Sequence, residues 1–213
     1  MSRPRVLLAD DHRMVAEALK SLLEQEFELV GVVEDGRQLV ETARHLRPDV
    51  IVADITMPHL NGIDALTQLK RDNPDVRVVF LTMHKDAAYA RRALDAGARG
   101  YVLKHSAQAE LFLAVRAALD GETYITPTLA GEVFHALKIS PEHPVNPVGA
   151  LTPRQREILQ LFAEGFPTKE IASRLDISPR TVEFHKYQLM DSLKLQSSAE
   201  LIHFAIKNGI VAV

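Results

Sequence analysis

Five short apolar runs, each followed by an amphipathic stretch, occupy the first 120 residues of this 213-residue chain. The runs fall at residues 5–9, 29–34, 50–53, 76–81 and 100–103 and are rich in β-branched side chains. A strand that is apolar at every position is buried on both faces, and its sheet needs helices above and below. Helical spacing recurs between the runs, at Val15, Leu19, Leu22 and Leu23 and again at Ile63, Leu66 and Leu69. The expected first domain is therefore α/β, a five-stranded doubly wound parallel sheet.

The alternation stops after Leu119. "TPTLAGEVFHAL" reads as a short helix with Thr126 as N-cap and Pro127 in its first turn. "KISPEHPVNPVGA", residues 138–150, holds three prolines and suits neither helix nor strand. From Leu151 onward only helical patterns remain. The sequence thus divides into a domain over 1–121, a linker helix with a Pro-rich linker over 122–150, and an all-α domain of four short helices over 151–213. There are no cysteines, which excludes disulfides and thiolate metal sites and suits a reducing cytoplasm. The N-terminal apolar run is too short for a signal peptide, and no stretch reaches the roughly 18 residues of a membrane span. A cytoplasmic protein with no membrane partner is expected.

Carboxylates mark the ends of the strands. Asp10 and Asp11 follow the first run and Asp54 follows the third. In a doubly wound sheet, sites form outside the carboxyl ends of the strands where strand order reverses, which is beside strand one. Three acids converging there repel one another and raise their own pKa values unless a cation neutralises them. All-oxygen ligands suit a hard ion, and Mg²⁺ is the natural choice. Thr82 and Lys104 stand at the tips of the remaining strands, so that a hydroxyl, an ammonium and a metal together clamp phosphoryl oxygens. A single Asp in such a place is more often a helix cap or turn residue; acids, hydroxyl and ammonium ending different strands favour a site.

These stretches, "LLADDH", "VIVADITMPHLNG", "VVFLTM" and "GYVLK", resemble the receiver domain of two-component response regulators, over residues 4 to about 121. The resemblance implies a flavodoxin-like strand order of 2-1-3-4-5. It implies that Asp54 accepts a phosphoryl group from a phosphohistidine on a sensor histidine kinase. Asp11, Asp54 and the backbone carbonyl of Thr56 would ligate Mg²⁺, with Asp10 assisting. Lys104 would pair with one phosphoryl oxygen and Thr82 would hydrogen-bond another. Tyr101 would act as a switch, rotating toward the space that Thr82 leaves. Pro58 and Gly62 would shape the loop beside Asp54. His12, His59, His84 and His105 also lie near the rim but lack the helical pairing of a metal site; His84 and Thr56 read as tuning water access to an acyl phosphate. His105 departs from the proline that many receivers carry there.

"LTPRQREILQLFAEGFPTKEIASRLDISPRTVEFHKYQLMDSLKL" reads as three helices separated by turns. Thr152 with Pro153, Thr168, and Ser178 with Pro179 open them in order, and Gly165 allows the first turn. On the third helix Val182, Lys186, Leu189 and Leu193 share a stripe, while Arg180, Phe184, Tyr187 and Asp191 point the other way. The stretch resembles the LuxR-type helix-turn-helix, and with the receiver it gives the architecture of NarL/FixJ-type response regulators. That resemblance implies double-stranded DNA as a partner, with the third helix in the major groove and the fourth carrying a homodimer contact formed on activation. Glu183, Phe184 and Tyr187 would face base edges. Thr168, Lys169, Arg180, Thr181, His185 and Lys186 are candidates for phosphate contacts or their support.

From Val148 to the end there are eight Lys and Arg against seven Asp and Glu, a weakly basic balance for a DNA reader. Two other classes stay open. A metal-dependent phosphatase also uses an Asp nucleophile, but such hydrolases place a second acid where this chain has Thr56, so no enzyme is expected. A module whose all-α domain contacts protein would fit the low charge and the outward Phe184 and Tyr187.

Overall fold

The computed structural model describes residues 3–138, 148 and 150–211. Two compact units result, one running through the segment after the fifth strand and the other made of the C-terminal helices.

In the first unit the strands are β1 (Arg5–Ala9), β2 (Glu28–Val33), β3 (Val50–Ala53), β4 (Val78–Thr82), β5 (Gly100–Leu103) and β6 (Tyr124–Ile125). They form one parallel sheet in the order β2-β1-β3-β4-β5-β6. The helices between them are α1 (Arg13–Leu23), α2 (Gly36–Leu46), α3 (Gly62–Asp72), α4 (Ala87–Asp95) and α5 (Ala107–Leu119), followed after β6 by α6 (Pro127–Lys138). Side chains alternate across the sheet with the period of two that a strand imposes. Val6, Leu8, Val50, Val52, Val79, Leu81 and Val102 pack with α1 and α5 in one core layer. Leu7, Ile51, Phe80 and Tyr101, the alternate positions, are equally buried and face the opposite layer.

Local chemistry sets the helix starts. Asp35, Asn61 and Asp86 each accept backbone N–H bonds in the first turns of α2, α3 and α4. Gly62 is required by crowding: a Cβ there would lie 2.3 Å from the Asp54 carbonyl oxygen and 2.8 Å from the Phe80 ring. The start of α3 therefore lies directly under the end of β3.

The fold departs from the sequence reading at β6. Five strands were expected, and a sixth pairs with β5 through Gly100 and Tyr101. It has two residues, too few for any periodicity to show. Thr126 is fully buried, and its hydroxyl accepts from Leu103 N at 3.1 Å and donates to Glu110 at 2.7 Å instead of capping a helix. Leu129 and Val133 of α6 are buried, and α6 packs against α4. The segment 122–138, read as linker, is therefore part of the first unit. The Pro-rich stretch 139–147 lies outside the described residues.

The second unit is α7 (Pro153–Ala163), α8 (Thr168–Leu175), α9 (Pro179–Ser192) and α10 (Ser198–Lys207) around a core of Ile158, Leu161, Ile171, Val182, Leu189, Leu201 and Ala205. Thr152 and Gln155 form a reciprocal capping box at α7, and Ser178 caps α9. At α8 the expected Thr168 cap is absent: Pro167 stands at the cap position and no side chain caps the helix. Among the described residues no helix is long and apolar enough to cross a membrane.

Candidate functional site

The parallel register brings the ends of β1, β3, β4 and β5 to one rim. Asp10 N donates to Val33 O of β2 and Asp54 N donates to Ala9 O of β1, so both acids hang from a rigid backbone. Their side chains are 2% and 6% exposed. The ammonium of Lys104 lies 2.7 Å from Asp10 Oδ2 and 2.6 Å from Asp54 Oδ2. Burial raises the Asp54 pKa above the ordinary carboxylate value; Lys104 opposes this and Asp10 adds to it. Burial also pulls the Lys104 ammonium down, but its two carboxylates outweigh this and leave its pKa raised.

Asp11 completes the cluster. Ligand atoms of Asp10, Asp11, His12 and Asp54 all lie within 4.8 Å of one another. Asp11 Oδ1 is buried and has no hydrogen-bond partner. A buried carboxylate oxygen with spare lone pairs, beside two more acids and only one ammonium, fits a bound divalent cation. The donor set for Mg²⁺ would be Asp10, Asp11, Asp54 and the Thr56 carbonyl, with water completing the shell.

Thr82 is the last residue of β4 rather than the residue after it, and it is fully buried. Its Oγ1 accepts from His84 N at 3.2 Å. Thr56 Oγ1 and His84 Nε2 are 2.7 Å apart, and the His84 ring stacks on Tyr89 with centroids 4.3 Å apart. Tyr101, the expected switch residue, is already fully buried, and its hydroxyl donates to His84 O at 2.9 Å. Burial raises the phenol pKa well above the ordinary tyrosine value, so the hydroxyl stays a donor. None of the described peptide bonds is cis, including the one before His105.

On α9 the predicted residues divide. Phe184 and Tyr187 are 57% and 67% exposed, and Arg180 is exposed as well, as is Lys169 on α8. Glu183, Thr181 and Lys186 have partners within the chain. Glu183 accepts a short hydrogen bond from the Thr168 hydroxyl, tying α9 to the first turn of α8. Thr181 hydrogen-bonds the Ser178 cap at 2.8 Å. Lys186 places its ammonium 5.1 Å from the centre of the Phe162 ring, on the same side of α9 as buried Val182 and Leu189. His185 Nδ1 is buried without a hydrogen-bond partner.

Two residues lie outside the predicted site set. His12 reaches the acid cluster, a position signalled in sequence by its adjacency to Asp11. Tyr89 backs the His84 ring, and nothing in the sequence marked it.

Two family models cover most of the chain: the response regulator receiver domain matches residues 6–116, and the bacterial regulatory proteins of the luxR family match 149–205. The oxygen regulatory protein NreC of Staphylococcus epidermidis is 34% identical, over 97% of this chain and 99% of its own length. RcsB of Salmonella enterica serovar Typhimurium, solved bound to promoter DNA with a phosphomimetic BeF₃⁻, is 31% identical with a TM-score of 0.61, over 95% of this chain and 98% of its own. A further structure, of two RcsB dimers on two parallel DNAs, is 29% identical with a TM-score of 0.59 over 95% and 98%. The chain belongs to the NarL/FixJ-type response regulators, which join a receiver to a LuxR-family helix-turn-helix.

Proposed function

We propose that Asp54 is the phosphoacceptor of a two-component system and that its phosphorylation promotes dimerisation and control of transcription. The observation that carries this is the buried convergence of Asp54, Asp10 and Lys104 at the ends of β3, β1 and β5. An Asp54 carboxylate oxygen attacks phosphorus, the P–N bond of a kinase phosphohistidine breaks, and its electron pair leaves with the imidazole. A bound Mg²⁺ supplies positive charge to the cluster and the phosphoryl oxygens. Lys104 holds a phosphoryl oxygen as it gives up its contact with Asp54. The Thr82 hydroxyl donates to another, and the movement of its oxygen toward the phosphoryl group draws it away from His84 N.

That release supplies the switch. His84 is held by Thr82, Thr56 and Tyr101 and stacks on Tyr89 of α4, so a change at Thr82 reaches α4 through one side chain and one loop. Since α6 packs on α4, a shift of α4 also moves the helix at the end of the first unit. Asp54→Asn should abolish labelling by acetyl phosphate with Mg²⁺, because an amide is a poor nucleophile. Acid-stable label on Ser or Thr in that variant would overturn the assignment.

The proposed output is double-stranded DNA in the cytoplasm, bound by a homodimer. Exposed Phe184, Tyr187 and Arg180 on α9, with exposed Lys169 on α8, support α9 as the groove-facing element, and RcsB, a relative of the same architecture, has been seen on DNA. The same exposed aromatics favour one alternative, a protein contact. Gel shifts with promoter DNA at two salt concentrations separate the two, since phosphate contacts weaken steeply with salt.

A further inference from the structure

The His12 side chain lies against the carboxylates of Asp10 and Asp11. It stands at the cap position of α1, with extended backbone at φ −89° and ψ 94°, and its side chain caps nothing. Instead the ring turns back onto the acids. Its Nδ1 lies 2.9 Å from Asp11 Oδ1 and 3.3 Å from Asp10 Oδ1. Yet Asp11 Oδ1, though buried, has no hydrogen-bond partner. The contact is one of charge and proximity, with no hydrogen bond fixing the ring to that oxygen.

That spacing has a plain meaning in coordination chemistry. Neighbouring ligands of an octahedral ion with bonds of about 2.1 Å lie roughly 3 Å apart. His12 Nδ1 is a close neighbour of both Asp11 Oδ1 and Asp10 Oδ1, and ligand atoms of all four residues, Asp54 included, fall within one 4.8 Å span. An imidazole nitrogen suits Mn²⁺, Co²⁺, Ni²⁺ or Zn²⁺ far better than it suits Mg²⁺.

We propose that His12 is a ligand of the cation held by Asp10, Asp11 and Asp54, and that it biases the site toward a borderline divalent transition ion over Mg²⁺. This rests on the reading of the acid cluster as the receiver's metal site. The ring is 62% exposed, so it swings onto the ion at little cost and leaves the carboxylates to hold Mg²⁺ alone.

The test uses the full-length protein with Mg²⁺, Mn²⁺ and Co²⁺ in turn. Affinities come from calorimetric titration, and electron spin-echo modulation of bound Mn²⁺ reads nitrogen ligation directly. The wild type should show ¹⁴N coupling and His12→Ala should lose it. Co²⁺ affinity should fall about tenfold in His12→Ala while Mg²⁺ affinity stays within about twofold, as expected for loss of one nitrogen donor. Absence of ¹⁴N coupling in the wild type would overturn the proposal, as would coupling that survives in His12→Ala. An equal loss for Mg²⁺ and Co²⁺ would also overturn it, because His12 would then shape the pocket without selecting the ion. Failure of every divalent ion to bind the wild type would instead overturn the metal reading of the acids themselves.

Discussion

The strand-end rim and the outer face of α9 are built on opposite physical terms. At the rim Asp10, Asp54 and Lys104 have side chains at most 9% exposed, and each charge finds a partner within the chain. On α9 Phe184 and Tyr187 are more than half exposed, and what would cover them lies outside the unit. Burying a charge without a partner costs several kcal/mol, so the rim has to be assembled before any ligand arrives. Exposed aromatics carry no such demand. The difference teaches that the first site should respond to substitution through stability as well as chemistry, and the second through binding alone.

The largest effect should follow from breaking the rim. Lys104→Ala leaves two buried carboxylates unpaired and should cost about 3–5 kcal/mol in metal-free protein, read by urea unfolding. Because the Lys104 pKa is raised, its contribution is complete below the unfolded lysine value near ~10.4 and is lost only as pH rises through the folded value. Wild-type and variant curves should therefore converge in alkali. A cost below ~1 kcal/mol would place the rim with ordinary surface pairs.

On the other side of the comparison, Tyr187→Ala should weaken specific DNA binding by about 1–3 kcal/mol if its ring meets a base, with unchanged unfolding. A matching loss of stability would show that the two regions differ less than their exposure suggests. A smaller effect, opposite in sign, tests the rim again. The Asp54 pKa is raised, so the folded state disfavours its ionised form and stability is lost as pH rises through the folded value. Asp54→Asn removes that loss while Lys104 keeps Asp10, so the metal-free variant should melt on the order of a few degrees higher near neutral pH. The gap should close toward pH ~4, where the unfolded carboxyl also protonates. An unchanged gap across that range would mean that the rim tolerates the charge. The smallest effect belongs to Lys169→Ala, which should weaken all DNA sequences alike and lower the salt slope by about one unit.

Most of the first unit was legible in the sequence because its signals are local and periodic. β1, β3 and β5 fall on the apolar runs as read, while β2 begins one residue early and β4 runs through Thr82. Asp10, Asp11, Asp54, Thr82 and Lys104 were visible because each stands where a buried strand stops. The caps at α7 and α9 were equally plain. Thr168 was misplaced because a threonine before a helix looks the same whether it caps that helix or, as here, donates to Glu183 fifteen positions on.

What the sequence determined by itself was the order of strands and helices, the division into two units, and which side chains end the buried strands. Those follow from short-range patterns of burial that a fold of this kind has to satisfy. Only the tertiary structure decided that β6 and α6 belong to the first unit, that Tyr101 already lies inside against His84, that Lys186 rests on Phe162, and that His12 turns onto the acids. Each of these is set by where one side chain or one two-residue strand comes to lie among groups from other elements, and such placements leave no periodicity along the chain.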